Sequence, residues 1–211
     1  IRKAIKLKPN YAEAYYNLGN ILIDLDNEKE AENLFRLAIK IKPNYAEAHF
    51  NLGVLLSNAN KIKEAEISTR RAIEINPNFS EAHYNLGNIL IDIGELNLAE
   101  LSISKAIGIN PNFAEAYHKL GIIFKGLGNL KEAEIAQKKS IKMNPKFKDP
   151  YFSLALIELL KGNYQSGLEK FEFRFNKENP TKTHSNPKAH RLNDGKIKPG
   201  EKLLVVSEQG L

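Results

Sequence analysis

The sequence predicts an all-α solenoid of antiparallel helix pairs. Three observations predict it. Prolines recur every 34 residues, at Pro9, Pro43, Pro77, Pro111 and Pro145. The segments that follow them, NYAEAYYNLGNIL, NYAEAHFNLGVLL, NFSEAHYNLGNIL and NFAEAYHKLGIIF, repeat one another. Within each unit, apolar residues fall at helical spacing twice, on either side of a turn residue. A fixed period of this length marks a solenoid whose units stack on their neighbours.

In the first unit, residues 10–43, Tyr15, Leu18, Gly19 and Leu22 stand at i, i+3, i+4 and i+7, one face of a first helix. Ala31, Leu34, Phe35, Ala38 and Ile39 repeat that spacing in a second helix. The break falls at Asp26 and Asn27, then at Asn60, Gly94, Gly128 and Gly162 in later units. These residue types tolerate the left-handed conformation that ends a helix. Asn10, Asn44, Asn78 and Asn112 each precede a glutamate by three residues, which predicts a capping box at the start of each first helix. Each proline stops the preceding second helix.

Gly19, Gly53, Gly87 and Gly121 lie inside first helices, where glycine costs about 1 kcal/mol against alanine. Their recurrence calls for close packing, and the spacing assigns each a small partner: Ala31, Ala65, Ala99 and Ala133. In the fifth unit the two types exchange, with Ala155 at the glycine site and Gly167 at the alanine site.

Tyr15, Leu18, Gly19, Leu22, Ala31, Phe35, Ala38 and Pro43 together resemble the tetratricopeptide repeat (TPR) pattern. The resemblance covers four units well and a fifth in part, to about residue 175. It departs at Thr69 and Gln137, which replace the large residue of the second helix, and at Ser140, which replaces the last alanine. Those changes are expected to weaken packing locally. The resemblance implies a right-handed superhelix whose first helices line the concave side.

On that side the recurring residues are Asn17, Asn51 and Asn85, with Asn20 and Asn88 one turn on. A side-chain amide offers both a donor and an acceptor, the complement of an extended peptide backbone. The array resembles the asparagine ladder of O-GlcNAc transferase TPRs. The expected function is a protein-interaction module that holds an extended peptide in the concave groove. Tyr16, Phe50, Tyr84 and His118 stand beside the ladder, either as ligand contacts or as packing between units, and Lys119 replaces its asparagine in the fourth unit. Carboxylate-clamp TPRs use Lys and Arg on this face. Here only Lys119 is basic among the equivalents of Asn17, so a chaperone clamp is not expected.

Composition narrows the remaining classes. The chain has 211 residues, 42% hydrophobic and 27% charged, which suits a folded chain rather than a disordered one. It has no cysteine, which excludes disulfides, cysteine-ligated zinc and thiol catalysis. No apolar run approaches the ~18 residues of a membrane span. The net charge is +6, and residues 176–200 carry six Lys and Arg against Glu178 and Asp194. The basic excess therefore reads as a solvated linker rather than a nucleic-acid surface. His49 and His83 fall on the first helix's packing stripe and are expected in the core; His118 is expected to be exposed. His184 and His190 lie in the linker without a ligand cluster. No catalytic residue, metal site or cofactor is expected. The chain opens on IRKAIKLKP, the end of a repeat, which suggests upstream units and leaves targeting open; a cytoplasmic location is the default expectation. Exposed solenoid ends make self-association a further expectation.

After residue 175 the period fails. Residues 176–200 read as a linker, and the run Leu203, Leu204, Val205, Val206 as a strand. The segments GLEKFEFRF and KLLVVSEQGL resemble bacterial TPR arrays fused to a glycosyltransferase-like domain of the heptosyltransferase type. That resemblance implies a substrate-recruiting arm whose catalytic domain lies outside this chain.

Overall fold

A computed structural model describes residues 7–171 together with residues 1 and 5. The expected linker at 176–200 and strand at 203–206 lie outside the described residues. The described residues form ten well-defined helices and no strand: α1 (Ala12–Asp24), α2 (Glu28–Ile41), α3 (Ala46–Asn58), α4 (Ile62–Ile75), α5 (Ser80–Asp92), α6 (Leu96–Ile109), α7 (Ala114–Gly126), α8 (Leu130–Met143), α9 (Asp149–Leu160) and α10 (Tyr164–Phe171).

Odd-numbered helices are the first of each pair and even-numbered ones the second. Each second helix packs on its own partner and on the next unit's first helix. First helices of neighbouring units also touch, α3 with α5, α5 with α7 and α7 with α9, so they form the crowded inner layer. Ala31, Ala65, Ala99 and Ala133 are fully buried, as are Phe35, Leu56, Ile89, Ile103 and Ile123. Each pair turns where the sequence places the break: Asp26 and Asn60 hold φ of 55° and 58°, and Gly94, Gly128 and Gly162 hold +81°, +80° and +81°.

Two local expectations are corrected. The capping boxes do not form. The helices begin one residue past the expected start, after Tyr11, Tyr45, Phe79 and Phe113, and none of those ends has a side-chain cap. The punctuating asparagine is instead the one before the proline. Asn76, Asn110 and Asn144 each accept, through Oδ1, the backbone N–H two residues on, at 3.2 Å. This local bond turns the chain around the proline, a use for which asparagine is well suited.

The glycine partners also differ. A Cβ on Gly19 would stand 2.7 Å from Phe35, on Gly87 2.4 Å from Ile103, on Gly53 2.4 Å from Thr69 Oγ1 and on Gly121 2.3 Å from Gln137. The glycine makes room for the residue four positions beyond the alanine, the large position of the second helix. In the fifth unit a Cβ on Gly167 would meet Leu159, 2.7 Å away, rather than Ala155.

The departures at Thr69, Gln137 and Ser140 do not leave loose seams. All three side chains are fully buried and hydrogen-bonded. Ser140 Oγ donates to the Ala114 carbonyl at 2.7 Å, and Ser80 Oγ donates to the Ala106 carbonyl at 3.1 Å. Ser80 and Ala114 share one repeat position, as do Ala106 and Ser140. The same small-on-small contact thus takes its hydroxyl from either side.

Candidate functional site

The first helices carry the expected binding residues and give them different surroundings. Asn17 is exposed. Asn51, half-buried, donates from Nδ2 to Asn20 Oδ1 at 2.7 Å and to Tyr16 Oη at 3.3 Å, tying the first two units together. Asn85 is 9% exposed and donates to Thr69 Oγ1 at 2.9 Å, so it faces the seam between units. Asn88 is half-buried, and its Oδ1 is the one buried side-chain polar atom without a hydrogen-bond partner among the described residues. Lys119 is half-buried in α7.

The aromatic residues pack between units. Tyr16 lies 5.0 Å from Tyr45, Phe50 4.8 Å from Phe79, Tyr84 4.8 Å from Phe113 and His118 5.2 Å from Phe147, measured between ring centres. Each pair joins a first helix to the residue that opens the next unit. Burial pushes the Tyr45 hydroxyl pKa up to about 12 and raises that of Tyr84.

His118 corrects an expectation of exposure: it is 7% exposed. Its Nδ1–H donates to Gln137 Oε1 at 2.8 Å, and Gln137 Nε2 donates back to the His118 carbonyl at 3.1 Å. Burial is the main cause that lowers its pKa, and the bond to Gln137 opposes that. His49 and His83 are half-buried at the edge of the core rather than inside it. Their Nε2–H groups donate to the carbonyls of Pro43 and Pro77, both at 3.0 Å, and Tyr151 reaches Pro145 in the same way at 3.2 Å. Glu13 accepts a hydrogen bond from Lys42 Nζ at 3.0 Å, and that bond lowers the Glu13 pKa.

The polar pairs Thr69–Asn85 and Gln137–His118 escaped the sequence reading. Their signal was present: a polar residue at a position that is Phe35 and Ile103 in other units.

Sequence profiles of the tetratricopeptide repeat match residues 12–45, 46–79, 69–100 and 114–147, together more than half of the chain. The chain belongs to the tetratricopeptide repeat family. No curated protein sequence matches it. Among solved structures, the TPR array is similar to PilW, a type IV pilus biogenesis factor, at 24% identity and TM-score 0.73, covering 83% of each chain. It is similar to MamA from Desulfovibrio magneticus RS-1 at 22% identity and TM-score 0.70, covering 77% of this chain and 92% of that one. A third is YrrB, described as a TPR protein with an unusual peptide-binding site, at 22% identity and TM-score 0.69, covering 83% and 90%. These likenesses concern the fold, and the TPR array shares the right-handed superhelix. No helix among the described residues is long and apolar enough to cross a membrane.

Proposed function

We infer that this TPR array is a protein-interaction module that binds an extended peptide segment along its inner face, centred on the first two units. The observation that carries this reading is the group around Asn51. Its bonds to Asn20 and Tyr16 hold two amides from different units in fixed positions, next to the exposed Asn17. Fixed amides lose little freedom when a peptide backbone pairs with them. The half-buried Asn88 places an amide in the third unit at the repeat position of Asn20. The shared fold with a TPR protein described as peptide-binding adds support.

The test is to select a binder from a random dodecapeptide display library and measure its affinity for the wild type and two variants. Asn17→Ala combined with Asn51→Ala is expected to weaken binding at least about fivefold, roughly 1 kcal/mol. Asn85→Ala, which alters the seam, is expected to leave affinity unchanged under conditions where the fold is intact. Equal affinities for wild type and the Asn17/Asn51 variant would reject the reading.

A second reading, the substrate-recruiting arm of a glycosyltransferase, rests on residues 167–175 and 202–211. Coding sequence that runs on from Leu211 into Gly-Asp and a strand–helix pattern supports it; a stop codon or an unrelated continuation removes it.

A further inference from the structure

The outer layer, made by the second helices, carries a surface distinct from the inner face. Ile67, Leu101 and Ile135 are 69%, 68% and 58% exposed and recur at the 34-residue period. Isolated exposed aliphatics are ordinary, but three in register on successive helices form a row. One turn further along the same helices stand Arg71, Lys105 and Lys139, which place a cation beside each aliphatic side chain.

Clefts open between these helices. The first, about 540 Å³, lies between α2 and α4, with His49 and Leu52 of α3 at its floor and Ile39 and Ile67 at its sides. The second, about 350 Å³, lies between α4 and α6, with His83 and Leu86 at its floor and Ile73 and Leu101 at its sides. Every residue lining the second cleft stands one period after a residue lining the first. The two clefts are thus one design used twice, on contiguous units.

Among the residues that line them, cations outnumber carboxylates. Arg36, Lys40 and Arg71 border the first cleft, Arg70 and Lys105 the second, and Glu74 is the one carboxylate lining both. The arginines already have carboxylate partners: Arg36 with Glu32 and Glu64, Arg70 with Glu66, and Arg71 with Glu74. Among the described residues Lys40 and Lys105 form no ion pair. An apolar floor with a cationic rim is complementary to a chain that combines aliphatic and acidic side chains.

We propose that the outer face binds an acidic, leucine- or isoleucine-bearing segment of a partner protein, with successive aliphatic side chains entering successive clefts. This surface is separate from the inner-face site, so each stands or falls independently.

The probe is a fluorescein-labelled peptide of five Glu-Glu-Leu triplets, followed by fluorescence anisotropy with the full chain. Peptides of Lys-Lys-Leu and Glu-Glu-Ser triplets are the charge and apolarity controls. The acidic leucine peptide is expected to bind, with both controls at least about tenfold weaker, and to weaken between ~50 mM and ~500 mM salt. Leu101→Glu and Lys105→Glu, both at exposed positions, are each expected to weaken it about tenfold. Asn17→Ala is expected to leave it unchanged. Circular dichroism and a melting curve verify that each variant is folded. For any variant that is not, a benzophenone photo-cross-linker on the peptide, with the wild-type chain, locates the contact by mass spectrometry. Cross-links at Ile67, Leu101 or Ile135 support the proposal. Absence of binding, equal binding of the lysine peptide, cross-links confined to the inner-face residues Asn17, Asn20, Asn51 or Asn88, or concentration-dependent self-association that Leu101→Glu abolishes would each overturn it.

Discussion

Asn85 donates a hydrogen bond to Thr69 across the seam between the second and third units, at 2.9 Å. Both side chains are buried, and Thr69 fills the space above Gly53. One period earlier the corresponding residues are Asn51 and Phe35, and Phe35 has no hydrogen-bonding group to offer. Asn51 bonds to Tyr16 and Asn20 instead.

Thr69→Val keeps the volume of the side chain and removes the acceptor. It leaves the Asn85 amide buried without a partner, which costs about 1–3 kcal/mol. Urea denaturation is expected to show a lower midpoint for Thr69→Val. Paired with Asn85→Ala in a double-mutant cycle, it is expected to reveal a coupling of at least about 0.5 kcal/mol. An additive cycle would show the bond to be energetically idle.

The aromatic seams make a second prediction. Phe50 packs against Phe79 with ring centres 4.8 Å apart. Phe50→Ala is expected to destabilise the array by about 2–4 kcal/mol through lost burial and ring contact. Asn17→Ala, at an exposed site, is expected to change stability by less than about 0.5 kcal/mol. A neutral Phe50→Ala would show that the ring pair does not stabilise the array.

The turns supply a third. Asp26 and Asn60 hold positive φ at a position that is glycine in the three later units. Asp26→Gly is expected to be neutral or to stabilise by up to about 1 kcal/mol, because glycine has no steric cost there. Gly128→Ala, with φ of +80°, is expected to cost about 1–2 kcal/mol although nothing lies within 4 Å of its added Cβ. Thermal melts distinguish the two directions.

The fourth concerns pH. The folded His118 has a pKa below its ordinary value of 6.5, chiefly because it is buried. Between those two values the unfolded chain holds the extra proton, so stability rises with pH through that window and is lost as pH falls below 6.5. The half-buried His49 is shifted the same way for the same reason. His118→Gln, which keeps a side chain able to pair with Gln137, is expected to flatten the stability profile over this range. The carboxylates of Glu32 and Glu134 are held below their ordinary value of 4.5 by hydrogen bonds, from Arg36 first and from Lys138 first respectively. Their contribution is present above that value and is lost only at lower pH, which separates the two effects on one curve.

The sequence by itself determined the 34-residue unit, its two helices, the place of each turn and the family. These rest on spacing along the chain and on the local chemistry of proline, glycine and asparagine, which a repeat states four times over. An asparagine three residues before a glutamate suggests a capping box and places the helix starts one residue early, whereas the chain uses a different asparagine for its turn. Only the tertiary structure decided which repeated residues are exposed and which are buried. Asn17, Asn51 and Asn85 hold one repeat position, yet the first is exposed, the second is tied to its neighbour unit and the third is buried. The physical reason lies across the seam. Asn51 and Asn85 both find their hydrogen-bond partners in the preceding unit, and whether that unit presents Phe35 or Thr69 settles where the asparagine turns.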